Sequence, residues 1–163
     1  MIDDIDRQIL TILQENARTP SAEVARRIGM AASAIHERIR KLEERGIIEG
    51  YTAKLNARAL ERGLVAFVFV RAEEPLCSLE TGERLAAIPE VQEVHHVAGE
   101  DCYLVKVRVA DTEALQELLR TRFGSVESVK STRTTIVLGT VKETSAFPVP
   151  AGAEAMPEEA VHG

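Results

Sequence analysis

The start of the chain repeats apolar residues every three or four positions, the spacing that places side chains on one side of a helix. In the first segment these residues are Ile5, Ile9, Ile12 and Leu13. They predict a helix over residues 4–14, whose first-turn carboxylates favour the positive end of the helix dipole. A shorter helix is predicted after Pro20 and ends at Gly29, a residue that readily takes the left-handed conformation that reverses the chain.

A third helix is predicted over residues 32–45 and stops at Gly46. Its apolar side is formed by Ile35, Ile39 and Leu42. Two helices joined by a tight glycine turn have the outline of a helix-turn-helix. The extended stretch over residues 48–55 is either a wing beside DNA or a strand that leads to the next domain, and we favour the strand.

The outward side of the third predicted helix carries polar and charged residues. The residues that face away from the apolar side, or flank it, are Ser33, Ala34, His36, Glu37, Arg38, Arg40 and Lys41. Arginine can read guanine edges in the major groove, whereas lysine and serine contact phosphates. The alternative is an ordinary solvated surface, and the position in a helix-turn-helix favours DNA contact over it.

The second half of the chain alternates strand and helix patterns. Strands are predicted at residues 64–70, 91–97, 103–109 and 135–141, and helices at 79–88 and 112–123. The fold class is therefore α+β, with an N-terminal winged-helix-like helix-turn-helix and a C-terminal ferredoxin-like βαββαβ domain. Helices over one face of the sheet leave the other face open, so we expect a second copy to pack there.

These patterns divide the chain into four parts. They are the helix-turn-helix at 1–47, a connecting strand and linker at 48–62, the βαββαβ domain at 63–142 and a tail at 143–163. The tail combines prolines, glycines and glutamates without periodicity, which predicts disorder toward its end.

Composition places the chain among ordinary globular proteins, with 45% hydrophobic and 28% charged residues. The formal net charge of -6 at first argues against a nucleic-acid partner. The deficit lies after residue 55, however, since nine Lys and Arg balance nine Asp and Glu before it, and 11 face 17 after it. A neutral head can bind DNA when its basic residues share a face, with modest and salt-sensitive affinity.

Candidate chemistry beyond DNA contact is sparse. Cys77 and Cys102 lie outside any metal-ligand spacing, so we expect thiols at small hydrophobic positions and no metal site. The chain has no nucleophile–base motif or phosphate-binding glycine loop, and we expect neither enzymatic activity nor a cofactor. No apolar run reaches the roughly 20 residues that cross a bilayer, and the acidic start differs from a signal peptide, which predicts a cytoplasmic protein that is not in a membrane.

Four stretches of the chain resemble the Lrp/AsnC, or feast/famine, family of bacterial and archaeal transcription regulators. They are DDIDRQIL, EVARRIGMAASAIHERIRKLEERGIIEGYTAKLN, VAGEDCYLVKVRV and TRTTIVLGTVKETSAFPV. Their order and spacing extend the resemblance to about residue 149. It implies a DNA-binding head, a connecting strand and a βαββαβ domain that binds a small effector, usually an amino acid. It also implies homodimers, which often assemble into octamers.

The resemblance implies effector contacts in the loop before the third strand and on the last strand. At the matching positions these are Gly99, Asp101, Tyr103, Thr132 and Thr134, with Asp101 suited to an ammonium group. The chain departs from the family here, because its aspartate comes one position earlier than usual. It also has Ala31 where many members have a capping serine. By residue chemistry alone the loop is a hairpin turn.

The favoured hypothesis is a sequence-specific transcriptional regulator that binds double-stranded DNA and whose binding or assembly responds to an amino-acid effector. Two recognition helices held one helical turn apart in a dimer suit a pseudo-palindromic site. The alternative is a metabolite-binding assembly module whose N-terminal helices make protein contacts, which the acidic net charge favours.

Overall fold

The computed structural model of the protein describes residues 2–75 and 78–150. Cys77 therefore lies outside the described residues, as does the end of the predicted tail. The chain divides into two compact units. One unit comprises the chain up to Ala53 together with the segment that begins at Lys142, and the other runs from Lys54 to Val141.

Three helices form the first unit. They are α1 (Asp4–Glu15), α2 (Ser21–Ile28) and α3 (Ala32–Glu44). The start of α1 is fixed by a capping box, in which the side chains of Asp3 and Asp6 each accept from the other residue's backbone N–H. The buried hydrophobic residues of this unit are Ile9, Leu13, Val24, Ala25, Ile35 and Leu42. The three predicted helices are confirmed.

The second unit contains four strands and two helices. In chain order they are β1 (Leu64–Ala72), α4 (Glu80–Ala86), β2 (Val91–His96), β3 (Tyr103–Val109), α5 (Thr112–Leu118), which continues as a π-helical turn at Leu119–Phe123, and β4 (Val129–Ile136). The predicted βαββαβ order is confirmed. The sheet is antiparallel, and its strand order is β2-β3-β1-β4.

The two faces of this sheet have different environments. One face packs under the helices and forms the core, which includes Val68, Val70, Val105, Val107, Leu85 and Leu115. The strict alternation of β3 follows from this arrangement, because Tyr103 and every second residue after it are buried. The opposite face, which we name the open face, carries half-buried side chains such as Phe67, Phe69 and Leu104.

The predicted position of the last strand is wrong. β4 ends at Ile136 rather than running over residues 135–141. It is an edge strand rich in polar residues, so it lacks the apolar pattern that signals a strand. Two of the apolar residues that suggested a later strand, Leu138 and Val141, are fully exposed.

The predicted connecting strand is also absent, because the described residues 48–62 form no strand. A strand needs a second backbone for its hydrogen bonds. In this stretch the Ile48 N–H donates to the Leu42 carbonyl at the end of α3, and the other backbone bonds that the structure shows are turns over residues 57–62. Its start is held by Tyr51, whose hydroxyl donates to the carboxylate of Glu43 on α3 at 2.8 Å. Among the described residues, no helix is long and apolar enough to span a membrane.

Candidate functional site: the recognition helix and the effector loop

α3 is anchored in the first unit by Ile35 and Leu42, which are 0% and 1% exposed. The reversal that precedes it depends on Gly29, whose φ of 81° lies in the left-handed region. Ala31 occupies the N-cap of α3 and offers no side-chain acceptor, as predicted. Backbone N–H groups at such a helix start are suitable partners for a DNA phosphate.

Six of the seven predicted DNA contacts lie on the side of α3 that faces away from Ile35. Ser33, His36, Arg40 and Lys41 are exposed, and Ala34 and Glu37 are half-buried. The helix therefore presents a short polar surface, which we name the recognition face and define by these six residues. Its dimensions suit a major groove, which admits one α-helix.

The recognition face neutralises its own charge. Arg40 donates to both carboxylate oxygens of Glu37, at 3.0 and 2.7 Å, and also pairs with Glu44. Lys41 lies 3.5 Å from the same Glu37 carboxylate. The hydrogen bonds from Arg40 lower the pKa of Glu37 to about 2. Because these pairs are exposed, each contributes little to stability and can be exchanged for another anion.

Arg38 does not belong to the recognition face, and its role as a DNA contact stays a prediction. Its Nη1 donates to the carboxylates of Asp3 and Asp6, each at 2.7 Å, so it ties α3 to the start of α1. The N–H of Asp6 and the Arg38 guanidinium both lower the pKa of Asp3. A helical-wheel position about 60° from Ile35 is the signal that indicates this packing role.

The predicted effector loop connects β2 to β3. Gly99 has a φ of 145°, which favours glycine. Asp101 pairs with Arg133 of β4 at 2.8 Å, and the Arg133 guanidinium lies 4.0 Å from the centre of the Phe69 ring. Asp101 is therefore engaged on the open face by a cation that the sequence did not single out.

Tyr103 is buried in this chain, with 1% of its surface exposed. Its hydroxyl donates to the Glu74 carboxylate at 2.6 Å, and burial followed by this bond raises its pKa to about 12. Glu74 also accepts from the backbone N–H and the hydroxyl of Thr81. Burial alone would raise the pKa of Glu74, but these hydrogen bonds outweigh it and lower that pKa. The effector role of Tyr103 stays a prediction, and in the free chain its hydroxyl holds Glu74.

Thr132 and Thr134 lie on the other side of the sheet from Arg133. They pair with Val70 and Val68, which belong to the helix-covered face. The structure therefore does not bring the five predicted effector residues into one site. An open cleft of about 510 Å³ lies nearby, at a bulge between β1 and β4. It is lined by Arg71, Ala72, Glu73, Lys130 and Ser131, none of which was predicted.

The described residues contain no group of three or more His, Cys, Asp or Glu side chains that could hold a metal ion. The polar residues that sequence reasoning missed in this unit are Glu74, Thr81, Ser128 and Arg133. No short motif links them, because they come together only through strand pairing.

Two family models match the chain. The AsnC-type helix-turn-helix domain matches residues 2–43, and the Lrp/AsnC ligand binding domain matches residues 65–147. The chain is 38% identical over 149 residues to the HTH-type transcriptional regulator FL11 of Pyrococcus furiosus, which covers 91% of this chain and 97% of that protein. It is 40% identical to the HTH-type transcriptional regulator LrpA of Mycobacterium tuberculosis, over 85% of this chain and 91% of that one.

Solved structures agree with these sequence matches. A transcriptional regulator of Neisseria meningitidis in complex with L-Met superimposes with a TM-score of 0.85 at 28% identity, covering 91% of this chain and 97% of that one. A feast or famine regulatory protein of M. tuberculosis complexed with L-methionine gives a TM-score of 0.84 at 37% identity, covering 91% of this chain and 100% of that one.

Proposed function

Because the chain belongs to the Lrp/AsnC family of transcriptional regulators, we propose that it binds specific sites on double-stranded DNA and regulates transcription in response to an amino acid. The observation that carries this proposal is the recognition face. Ser33, His36, Arg40 and Lys41 are exposed together on the second helix of a helix-turn-helix.

DNA binding proceeds by exchange of ion pairs. In the free protein Arg40 is held by Glu37 and Glu44. On DNA, a phosphate or a guanine edge replaces these carboxylates, and Lys41 adds a phosphate contact. Because the exchanged pairs are exposed, their loss costs little. A single head still binds weakly, since its carboxylates repel the DNA backbone.

Several heads are therefore needed on one DNA molecule, because linked weak contacts give a high overall affinity. Pairing of two chains through the open face, where Phe67, Phe69 and Leu104 are only half-buried, supplies two heads. Four such dimers in an octamer supply eight DNA-binding heads. The regulator acts in the cytoplasm and has no catalytic step.

The effector is an amino acid that binds to the C-terminal domain. Support comes from the match to a ligand-binding domain and from two similar proteins whose structures were solved in complex with L-methionine. The exposed Asp101–Arg133 pair offers a carboxylate and a guanidinium, the two charges that complement an amino acid.

The test is the double variant Arg40→Ala, Lys41→Ala. We expect at least a tenfold loss of affinity for a duplex that the protein selects from a random pool, and a decrease of about 0.9 per lost phosphate contact in the slope of log affinity against log salt. The matched control is Arg120→Ala. Arg120 is also exposed and pairs with a glutamate three residues earlier, but it lies on the C-terminal domain. Affinity that stays unchanged in the double variant rejects the recognition face.

A second candidate function is a metabolite-binding assembly module whose N-terminal helices contact protein. The self-neutralised charge of the recognition face favours it, because Glu37 and Glu44 cancel Arg40 and Lys41. Gel-shift measurements at low salt separate the two functions. A full chain that retards no duplex in that survey supports the assembly module and overturns the DNA-binding proposal.

A further inference from the structure

The segment after Val141 returns to the N-terminal unit. The side-chain amide of Gln14, in the last turn of α1, pairs with both backbone groups of Phe147. Gln14 Nε2 donates to the Phe147 carbonyl, and the Phe147 N–H donates to Gln14 Oε1, each at 3.0 Å. One side chain thus replaces the two hydrogen bonds that a neighbouring strand would supply. We name residues 142–150 the strap.

The sequence of the strap prepares it for this contact. Pro148 and Pro150 disfavour helical conformations at Phe147 and Val149, so the segment is biased toward an extended backbone before it docks. The hydroxyl of Thr144 accepts from the N–H of Ala146 at 3.0 Å, which adds a local turn. A segment restricted in this way loses less conformational entropy on docking than a flexible one does.

By sequence most of the strap belongs to the ligand-binding domain, but by structure it belongs to the unit that contains the helix-turn-helix. The ligand-binding family model extends to residue 147, whereas the compact unit that begins again at Lys142 is the one that contains the helix-turn-helix. Only residues 137–141 separate the strap from β4. The last part of the effector-domain sequence is therefore hydrogen-bonded to α1 of the DNA-binding unit.

α1 connects the strap to the recognition helix. Gln14 lies near the C-terminal end of α1, and Asp3 and Asp6 at the other end hold Arg38 of α3. The strap and α3 are thus attached to opposite ends of one hydrogen-bonded helix. Docking and release of the strap can bias the position of α1, and α1 carries that bias to α3.

We propose that the strap couples effector binding to DNA binding. A movement of β4 when the effector binds changes the docked fraction of the strap, and the docked fraction changes the affinity of α3 for DNA. The proposal rests on the proposed function, because it requires an amino acid that alters DNA binding.

The experiment measures DNA affinity with and without L-methionine, the amino acid present in two similar structures, and then with each of the other amino acids if L-methionine has no effect. The ratio of the two dissociation constants is the coupling factor. The variants are Gln14→Ala, which removes both hydrogen bonds, and Gln14→Glu, which keeps the acceptor for the Phe147 N–H but loses the donor. Gln8→Ala, an exposed glutamine on the same helix, is the matched control.

We expect a coupling factor of about fivefold or more in either direction for the full chain and for Gln8→Ala. It falls to about one in Gln14→Ala and takes an intermediate value in Gln14→Glu. L-methionine binding, followed by thermal shift, is retained within about twofold in all three variants. DNA binding without L-methionine keeps the value of the full chain in Gln8→Ala. In Gln14→Ala, whose strap stays undocked, it takes one of the two values that the full chain shows with and without L-methionine. A chain that ends at Val141 behaves like Gln14→Ala, and a chain that ends at Pro150 behaves like the full chain.

The outcomes distinguish the two proposals. A coupling factor that is unchanged in Gln14→Ala and in the chain ending at Val141 overturns the strap and leaves the regulator intact. A full chain that binds DNA but shows a factor of one with all twenty amino acids overturns the effector response, and the strap proposal fails with it.

Discussion

Two tyrosines, one in each unit, make the same hydrogen bond to a glutamate. Tyr51 donates to Glu43 at 2.8 Å beside the recognition helix, and Tyr103 donates to Glu74 at 2.6 Å inside the C-terminal domain. Burial followed by the carboxylate raises the pKa of both phenols to about 12. The difference is exposure, which is 51% for Tyr51 and 1% for Tyr103.

The comparison extends to the polar groups of the recognition face and to those around Tyr103. Arg40 and Lys41 are exposed and both pair with the half-buried Glu37, so water or DNA can take the place of this carboxylate. Glu74 accepts hydrogen bonds from the hydroxyls of Tyr103 and Thr81, and the Thr81 hydroxyl is also hydrogen-bonded to the Ser128 hydroxyl. Carboxylates and their hydrogen-bond donors therefore stay open to exchange on the recognition helix. In the C-terminal domain, carboxylate and hydroxyl groups hold β3, α4 and the segment before β4 together.

Of the variants that test this comparison, Tyr103→Phe is expected to change stability the most. It removes a hydrogen bond to a half-buried carboxylate, and we expect a loss of about 2 kcal/mol in the free energy of unfolding of the C-terminal domain. Tyr51→Phe makes the same change at an exposed site and costs less than about 0.5 kcal/mol. Hydrogen exchange of the β3 and α1 amides reports the two units separately. Equal losses in the two variants contradict the role assigned to burial.

Arg38→Gln tests which arginines of α3 are structural. Asp6, whose side chain is only 10% exposed, loses its cation, and we expect a loss of about 1–2 kcal/mol in the unfolding free energy of the first unit. Arg40→Gln on the same helix leaves the unfolding free energy unchanged but weakens DNA binding. A result in which Arg38→Gln affects only DNA binding restores Arg38 to the recognition face.

Arg38→Gln is also expected to change how the stability of the first unit depends on pH. The pKa of Asp3 is lowered in the folded chain by the Asp6 N–H and by Arg38, so its ionised form stabilises the fold above the ordinary aspartate pKa. That contribution is lost as the pH falls through the lowered value. In Arg38→Gln the lowering of the Asp3 pKa that Arg38 causes disappears. We therefore expect the first unit to be less stable at neutral pH and to lose less stability as the pH falls.

The sequence predicts the head better than the effector site, for a physical reason. In α3 the apolar spacing of Ile35 and Leu42 determines which side is buried, so the opposite side follows from helix geometry. Arg38 is the exception, because its two aspartates lie on another helix. Helical periodicity cannot report a partner that only the tertiary fold supplies.

In the C-terminal domain, the decisive contacts depend on strand register. Alternation in β3 shows that Tyr103 shares a face with Val105, but it does not show that this face is the buried one. β4 carries polar residues at an edge, so its position and the faces of Thr132 and Arg133 emerge only from the pairing with β1. The strap is a further case, because its partner Gln14 lies at the other end of the chain.

Glu37→Gln sharpens the exchange mechanism on the recognition face. Without the Glu37 carboxylate, Arg40 and Lys41 lose a competing anion that DNA has to displace. We expect affinity for a duplex of unrelated sequence to rise about two- to fivefold at low salt, with the gain disappearing at high salt. Glu113→Gln, the same change on α5, is the control. A fall in affinity for unrelated duplexes indicates that Glu37 positions Arg40 for DNA rather than competing with it.

The smallest expected effect is a titration shift at Glu37 in the free protein. The hydrogen bonds from Arg40 lower the pKa of this carboxyl to about 2, and Lys41 contributes less. In Arg40→Ala we expect the pKa to rise toward the usual glutamate range, and in Lys41→Ala to rise by a smaller amount. Carbon-detected NMR of the side-chain carboxyl between about pH 2 and 6 measures both shifts. A larger rise in the pKa of Glu37 in Lys41→Ala than in Arg40→Ala shows that Lys41 is the main partner of this carboxylate. Arg40 can then bind DNA without first giving up Glu37.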